Sequence, residues 1–175
     1  DLTGAFNLEV FRAALKDLTD RHEALRTVPH RDGVSQSIRP EIEVPLTVED
    51  GRSDDEAALT ARIKRAKHAQ VATPFDLING PLVRCHIVQQ ADDRRLVLFT
   101  VHHVIADGWS CGVLMRDLGE LYAARKAGRQ PRRPLALLWA GGRFEAGASE
   151  AALIAPPAKA GGGTTQAVIA WDPVR

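Results

Sequence analysis

The chain has 175 residues, 45% of them hydrophobic and 26% charged, and 23 Lys and Arg against 22 Asp and Glu leave a net charge of +1. That length supports one globular domain with its own core, and the near balance of charge argues against a nucleic-acid partner, which needs a basic field to offset phosphates. No apolar run reaches bilayer length, and no basic segment followed by an apolar core opens the chain, so neither a membrane span nor a secretory signal is expected.

Asn7 is placed to cap a helix whose apolar stripe is Leu8, Phe11, Leu15, Leu18 and Leu25. Asp32-Gly33, between the β-compatible runs 27–30 and 34–38, predicts a hairpin, and residues 44–48 suit a short strand. Ser53 and Glu56 have capping-box spacing. Asp54, Asp55 and Glu56 would then fill the first turn of a helix, with Lys64, Arg65, Lys67 and His68 toward its end, an order that complements the helix dipole. Leu59, Ile63 and Ala66 are its core-facing residues, and Pro74 should stop it.

Residues 82–89 and 95–101 read as two strands joined by Ala91-Asp92-Asp93. The run from Leu96 to Val101 suits a strand buried on both faces, and it delivers the chain to His102. After Gly108 a further helix is expected, capped by Ser110, with Val113, Leu114, Leu118, Leu121 and Tyr122 on its apolar side and Gly128 as its stop. Cys85 and Cys111 form no CxxC pair and read as reduced, buried thiols, which fits a cytoplasmic setting. From residue 135 Ala and Gly dominate, and Ala155-Pro156-Pro157 and Gly161-Gly162-Gly163 break any periodicity. Residues 135–175 therefore read as a divergent tail, poorly ordered or foreign to the fold, with 168–171 as one short strand candidate. Residues 1–134 form the α/β domain proper.

The chemistry concentrates in His102-His103-Val104-Ile105-Ala106-Asp107-Gly108-Trp109-Ser110, between the buried strand and the helix. Imidazole is the usual group for proton transfer near neutral pH. Adjacent histidines on an extended backbone point to opposite sides, so they do not converge on one ion, and no Cys, His or Glu set at ligand spacing accompanies them; no metal is expected. One histidine should face a cleft and the other the protein. Asp107 needs a cationic or hydrogen-bonding partner to tolerate burial, and Gly108 removes a Cβ where the chain turns or a substrate approaches. Trp109 lines the cleft or packs under the loop.

These residues resemble the HHxxxDG core motif of the condensation domains of nonribosomal peptide synthetases. Arg21-His22-Glu23-Ala24-Leu25-Arg26-Thr27 resembles the RHExLRT motif of that family, and Pro74-Phe75-Asp76-Leu77 with Gly80-Pro81-Leu82-Val83-Arg84 resembles its PFDL…GPLxR segment. The resemblance spans roughly residues 4–134, with the motifs in the family's order. It implies an α/β fold like chloramphenicol acetyltransferase, a mixed sheet flanked by helices, of which this chain holds the N-terminal lobe. In that fold two lobes form a V around a tunnel, and the chain is too short for the second. The Gln-Tyr-x-Asp stretch that usually follows in the family is missing, as is its first motif.

By the same resemblance His103 is the catalytic histidine and His102 its structural neighbour. Asp107 would hold the loop through an ion pair, with Arg21 before Arg26 as its partner. Gly108 and Arg84 would be structural, and Trp109 would line the substrate channel. The implied reaction is amide-forming acyl transfer between thioesters on phosphopantetheine arms. The implied partners are donor and acceptor carrier proteins and neighbouring synthetase domains, with no cofactor bound directly. Competing readings are another HHxxxDG acyltransferase, an epimerization domain, or a non-catalytic truncated remnant acting as a docking platform. RHEALRT and the PFDL segment favour the synthetase family over the first of these.

Overall fold

The computed structural model describes residues 2–130 and 166–170. Its elements in chain order are β1 (Leu2–Thr3), α1 (Leu8–Arg21), a 3-10 turn (Glu23–Arg26), β2 (Thr27–Pro29), β3 (Gln36–Ile38), β4 (Leu46–Asp50), α2 (Glu56–Ala72), β5 (Val83–Gln89), β6 (Arg94–His102), α3 (Gly108–Lys126) and β7 (Gln166–Ala170). The main sheet is mixed. β4 runs parallel to β5, β5 antiparallel to β6, and β1 and β7 both pair antiparallel with the other edge of β6. β2 and β3 form the expected hairpin, with Asp32 accepting from the backbone of Val34 and Ser35 in its turn.

β6 is the centre of the domain because its alternate residues enter two different cores. Val97, Phe99 and Val101 pack with Phe11, Leu15, Leu18, Leu114 and Leu118 under α1 and α3. Leu96 and Leu98 pack with Val88 and Ala66 beneath α2, flanked by Leu59 and Ile63. The sheet is thus covered on both faces, as an unbroken run of buried residues requires.

Helix ends follow local chemistry, with some shifts. Asn7 caps α1 by accepting from the Val10 N–H at 3.0 Å. The helix stops at Arg21, where His22 turns extended, so Leu25 is buried from the 3-10 turn and not from the helix stripe. The α2 cap is Asp55, whose carboxylate accepts from the Ala58 N–H at 2.8 Å; Ser53 and Asp54 precede the helix. Asp at the N-cap presents its oxygen to this amide directly. α2 also runs on to Ala72, so its basic residues lie mid-helix and its last turn has none. The positive charge at that end comes instead from β5: Arg84 Nη2 donates to the carbonyls of Gln70 and Thr73, both at 2.6 Å. Gly128 closes α3 at φ +64°, with the Arg129 N–H returning to the Ala124 carbonyl at 2.8 Å.

In the divergent tail, Gln166–Ala170 joins the sheet as β7, in the register Leu98 opposite Ala170 and His102 opposite Gln166. That stretch belongs to the fold. The remainder of the tail, 135–165 and 171–175, lies outside the described residues.

Candidate active site

Strand parity determines where the two histidines go. Even residues of β6 face α2: Leu96 and Leu98 enter that core, and the Thr100 hydroxyl donates to Gln70 of α2 at 2.8 Å. His102 continues this set. Its ring meets Phe75, just beyond α2, edge to face at 6.0 Å with the planes 87° apart. Its Nδ1 accepts the Val104 N–H at 3.1 Å, which puts the proton of the neutral ring on Nε2. Burial, and then the charge of His103, hold the His102 pKa below its usual value. His103 opens the turn that follows, and its side chain is exposed.

Ile105 and Ala106 anchor the loop in the main core, while Val104 and Trp109 stand 40% and 68% exposed. Trp109 therefore does not pack under the loop. Among the described residues, its chain neighbours and its own helix aside, no atom lies within 4 Å of a Cβ built on Gly108, and its backbone is not left-handed, so glycine here leaves open space and does not serve a turn.

Asp107, not Ser110, is the N-cap of α3. Its Oδ1 accepts both the Ser110 N–H at 2.8 Å and the Ser110 hydroxyl at 2.7 Å. These two bonds hold its carboxyl below the usual carboxylate range. The expected ion pair with Arg21 is not what forms. A carboxylate at the N-cap is satisfied locally by a free helix amide three residues on, and Arg21 faces a different acid. Arg21 Nη1 lies 3.3 Å, and His22 Nε2 2.8 Å, from Oδ2 of Asp117, a carboxylate on the buried side of α3 with 5% of its side chain exposed. Arg26 does not meet Asp107 either. Its Nε donates to the Thr19 carbonyl at 2.9 Å and its Nη1 to the carbonyls of Arg39 and Pro40, which ties α1 to the segment just after β3.

The RHEALRT segment thus supports the loop indirectly: Arg21 and His22 fix α3, whose N-terminus Asp107 caps. Asp117 was missed in the sequence, where it is an acid inside the stripe Leu114, Leu118, Leu121; an acid on an apolar face is the signal that it needed a partner. Burial pushes the thiols of Cys85 and Cys111 up to about 12 and about 11, so neither supplies a thiolate nucleophile at neutral pH.

Comparison with known proteins agrees with this arrangement. The condensation domain family matches over residues 1–136. The chain is 41% identical over 128 residues to phosphinothricin tripeptide synthetase PhsC of Streptomyces viridochromogenes, covering 72% of this chain and 12% of that protein. It is 39% identical over 140 residues to malpibaldin synthetase of Mortierella alpina, covering 78% and 2%. Among solved structures, the X-domain from teicoplanin biosynthesis is 36% identical, with a TM-score of 0.65 over 78% of this chain and 29% of that one. The starter condensation domain of rhizomide synthetase, 24% identical, shares the fold at a TM-score of 0.68 over 77% and 34%. The chain therefore spans about a third of these solved domains and a small part of each synthetase. With a family match over residues 1–136, carrying the paired histidines at the end of β6 and in the turn after it, and the capped α3 beyond them, this chain belongs to the condensation domain family.

Proposed function

We propose that this chain is the histidine-bearing lobe of a condensation domain, joining two carrier-bound thioesters in nonribosomal peptide synthesis, with His103 as its catalytic residue. The observation that carries the reading is the contrast between the two histidines: His102 is engaged by Phe75 and Val104, while His103 is exposed at the end of the buried strand. The substrates would reach it on the phosphopantetheine arms of donor and acceptor carrier proteins in the cytoplasm, and no cofactor bound to the chain is needed.

In the reaction the α-amine of the acceptor aminoacyl thioester attacks the carbonyl carbon of the donor acyl thioester. A C–N bond forms, the C–S bond breaks, the donor pantetheine leaves as its thiol, and the amine gives up one proton. His103 takes that proton, or orients the amine and stabilises the charged intermediate. Orientation of two bound reactants supplies about 7–11 kcal/mol in well-aligned cases, and a positioned general base adds ~10²–10⁴-fold. Open space at Gly108 and the exposed ring of Trp109 leave room for a substrate arm beside His103.

The second reading is a docking platform without chemistry. The experiment is amide formation between an acyl-loaded donor carrier and an aminoacyl-loaded acceptor carrier, followed by mass spectrometry of the acceptor. It is run with this chain alone and with this sequence joined to the remainder of a condensation domain. Product in the joined form, lost by roughly 10²–10⁴-fold on His103→Ala with an unchanged melting curve, supports the reading. Carrier binding without product in either form supports the platform.

A further inference from the structure

We propose that Phe75 is a positioning residue for the active-site turn: its ring holds His102, whose imidazole folds the backbone that presents His103, and Arg84 holds Phe75 in place. The inference rests on His103 being the reacting group, but the contacts themselves do not.

Three contacts run in series. Arg84 is anchored by the carbonyls of Gln70 and Thr73 at the end of α2, both at 2.6 Å from its Nη2. Its guanidinium lies over the Phe75 ring, 4.0 Å from the centroid, a cation–π stack that a planar guanidinium makes well. The same ring meets His102 edge to face at 6.0 Å. His102 is then the template of the turn: its Nδ1 accepts the Val104 N–H at 3.1 Å, and its carbonyl accepts the Ile105 N–H at 3.0 Å. Those two bonds enclose His103 between them. A histidine ring free to rotate about χ2 would lose the first, since Nδ1 must point along the chain to reach Val104.

A plain packing role for Phe75 makes a different demand. Phe75 is half-buried at the margin of the main core, so any apolar side chain of similar volume would fill its place. Only a ring can both receive the guanidinium on its face and meet an imidazole at a right angle. Leucine and tyrosine therefore separate the two roles.

The test uses ¹⁵N imidazole and amide NMR on this chain, and amide formation by the joined domain, for wild type, Phe75→Leu, Phe75→Tyr and Arg84→Lys. In wild type, His102 shows a single neutral tautomer protonated at Nε2, and the Val104 amide is protected from exchange. Phe75→Leu and Arg84→Lys should mix the tautomers and expose the Val104 amide. They should also lower kcat by about ten- to a hundred-fold, the scale of a displaced reacting group, with KM for the acceptor carrier little changed. Phe75→Tyr should restore all three. Should Phe75→Leu fail to fold, the milder Arg84→Lys carries the comparison. An unchanged tautomer and amide in folded Phe75→Leu or Arg84→Lys would overturn the inference, and so would altered NMR signals with an unaltered kcat. If His103→Ala leaves the rate unchanged, the reading of the site fails instead, and the imidazole signals still decide whether Phe75 holds the turn.

Discussion

Replacing Asp107 by alanine tests what this acid does. Two bonds disappear: the cap to the Ser110 N–H and the acceptor for the Ser110 hydroxyl. Loss of an Asp cap costs about 0.5–2 kcal/mol. Ser110 is buried, at 8% exposure, so its hydroxyl adds part of the roughly 1–3 kcal/mol for an unsatisfied polar group, reduced because a hydroxyl can rotate to another acceptor. The expected total is about 2 kcal/mol, or ~4–8 °C in melting temperature for a chain of this size. Asp107→Asn keeps an oxygen in the same place and should recover most of the loss.

Asp117→Ala provides the scale, because it removes a buried acid from Arg21 and His22 and should cost about 3–5 kcal/mol. Acid titration adds a second readout. The folded carboxyl of Asp107 lies below its ordinary value of 3.8, so its contribution is complete above that value and is lost as pH falls through the lower folded one. Asp107→Asn lacks this component and should unfold over a flatter acid range. Thermal melts of the three variants from neutral to acid pH decide the matter. If Asp107→Ala falls as far as Asp117→Ala, and Asp107→Asn rescues nothing, then Asp107 is held by a charge and the capping argument is wrong.

Two further outcomes follow from the strands around the site. Burial holds the pKa of His86 below 6.5, despite Glu49 of β4 at 2.9 Å; Gln70 of α2 faces its other nitrogen, and Arg62 and Arg65 hold Glu49 from the helix. The unfolded chain therefore takes up the proton first, and stability should fall as pH drops below 6.5, by at most ~1.4 kcal/mol per pH unit from this group. His102 acts with the same sign, so urea melts at pH 7 and 5.5 should show His86→Gln removing only part of the slope; a slope that His86→Gln leaves intact refutes the assignment. On β6, the His102 N–H points to the carbonyl of Leu82, just before β5, so the even amides face β5 and the odd ones, Phe99 and Val101, face β7. Ending the chain at residue 165 should raise hydrogen exchange at Phe99 and Val101 while Leu98 and Thr100 stay protected; unchanged exchange at Phe99 and Val101 would show that β7 does not pair there in solution.

What the sequence disclosed depended on how local the controlling interaction is. β6 was legible because burial on both faces leaves a run that little else explains, and α1 because Asn7 and an apolar stripe agree. The start of α3 was misplaced because Asp107 and Ser110 are both good caps. The spacing Asp-x-x-Ser held the answer, since an N-cap acid reaches the amide three residues on. Pro74 stops α2 as expected, just past its C-cap Thr73, but the charge at that end was misread for the opposite reason. Its dipole is met by Arg84, 14 residues beyond Gln70 and on another element, which helix charge patterning does not reveal.

The ion pair of Arg21 shows where a resemblance to a family stops being a physical argument. The motif supplied two charges of opposite sign in one site, and pairing them was the economical assumption. Geometry offers each a better solution. Asp107, at a helix start, has unpaired N–H groups at hand and needs no cation. Asp117, 95 residues from His22 and on the buried side of α3, has no backbone donor left to it inside a helix and must be met by side chains from the end of α1 and its C-cap. Burial alone would push this carboxyl up, and the contacts from His22 and Arg21 outweigh it, holding the carboxyl below its ordinary value. The RHEALRT segment therefore positions the helix behind the loop, Phe75 positions the strand end before it, and His103 stands between two supports that share no residue.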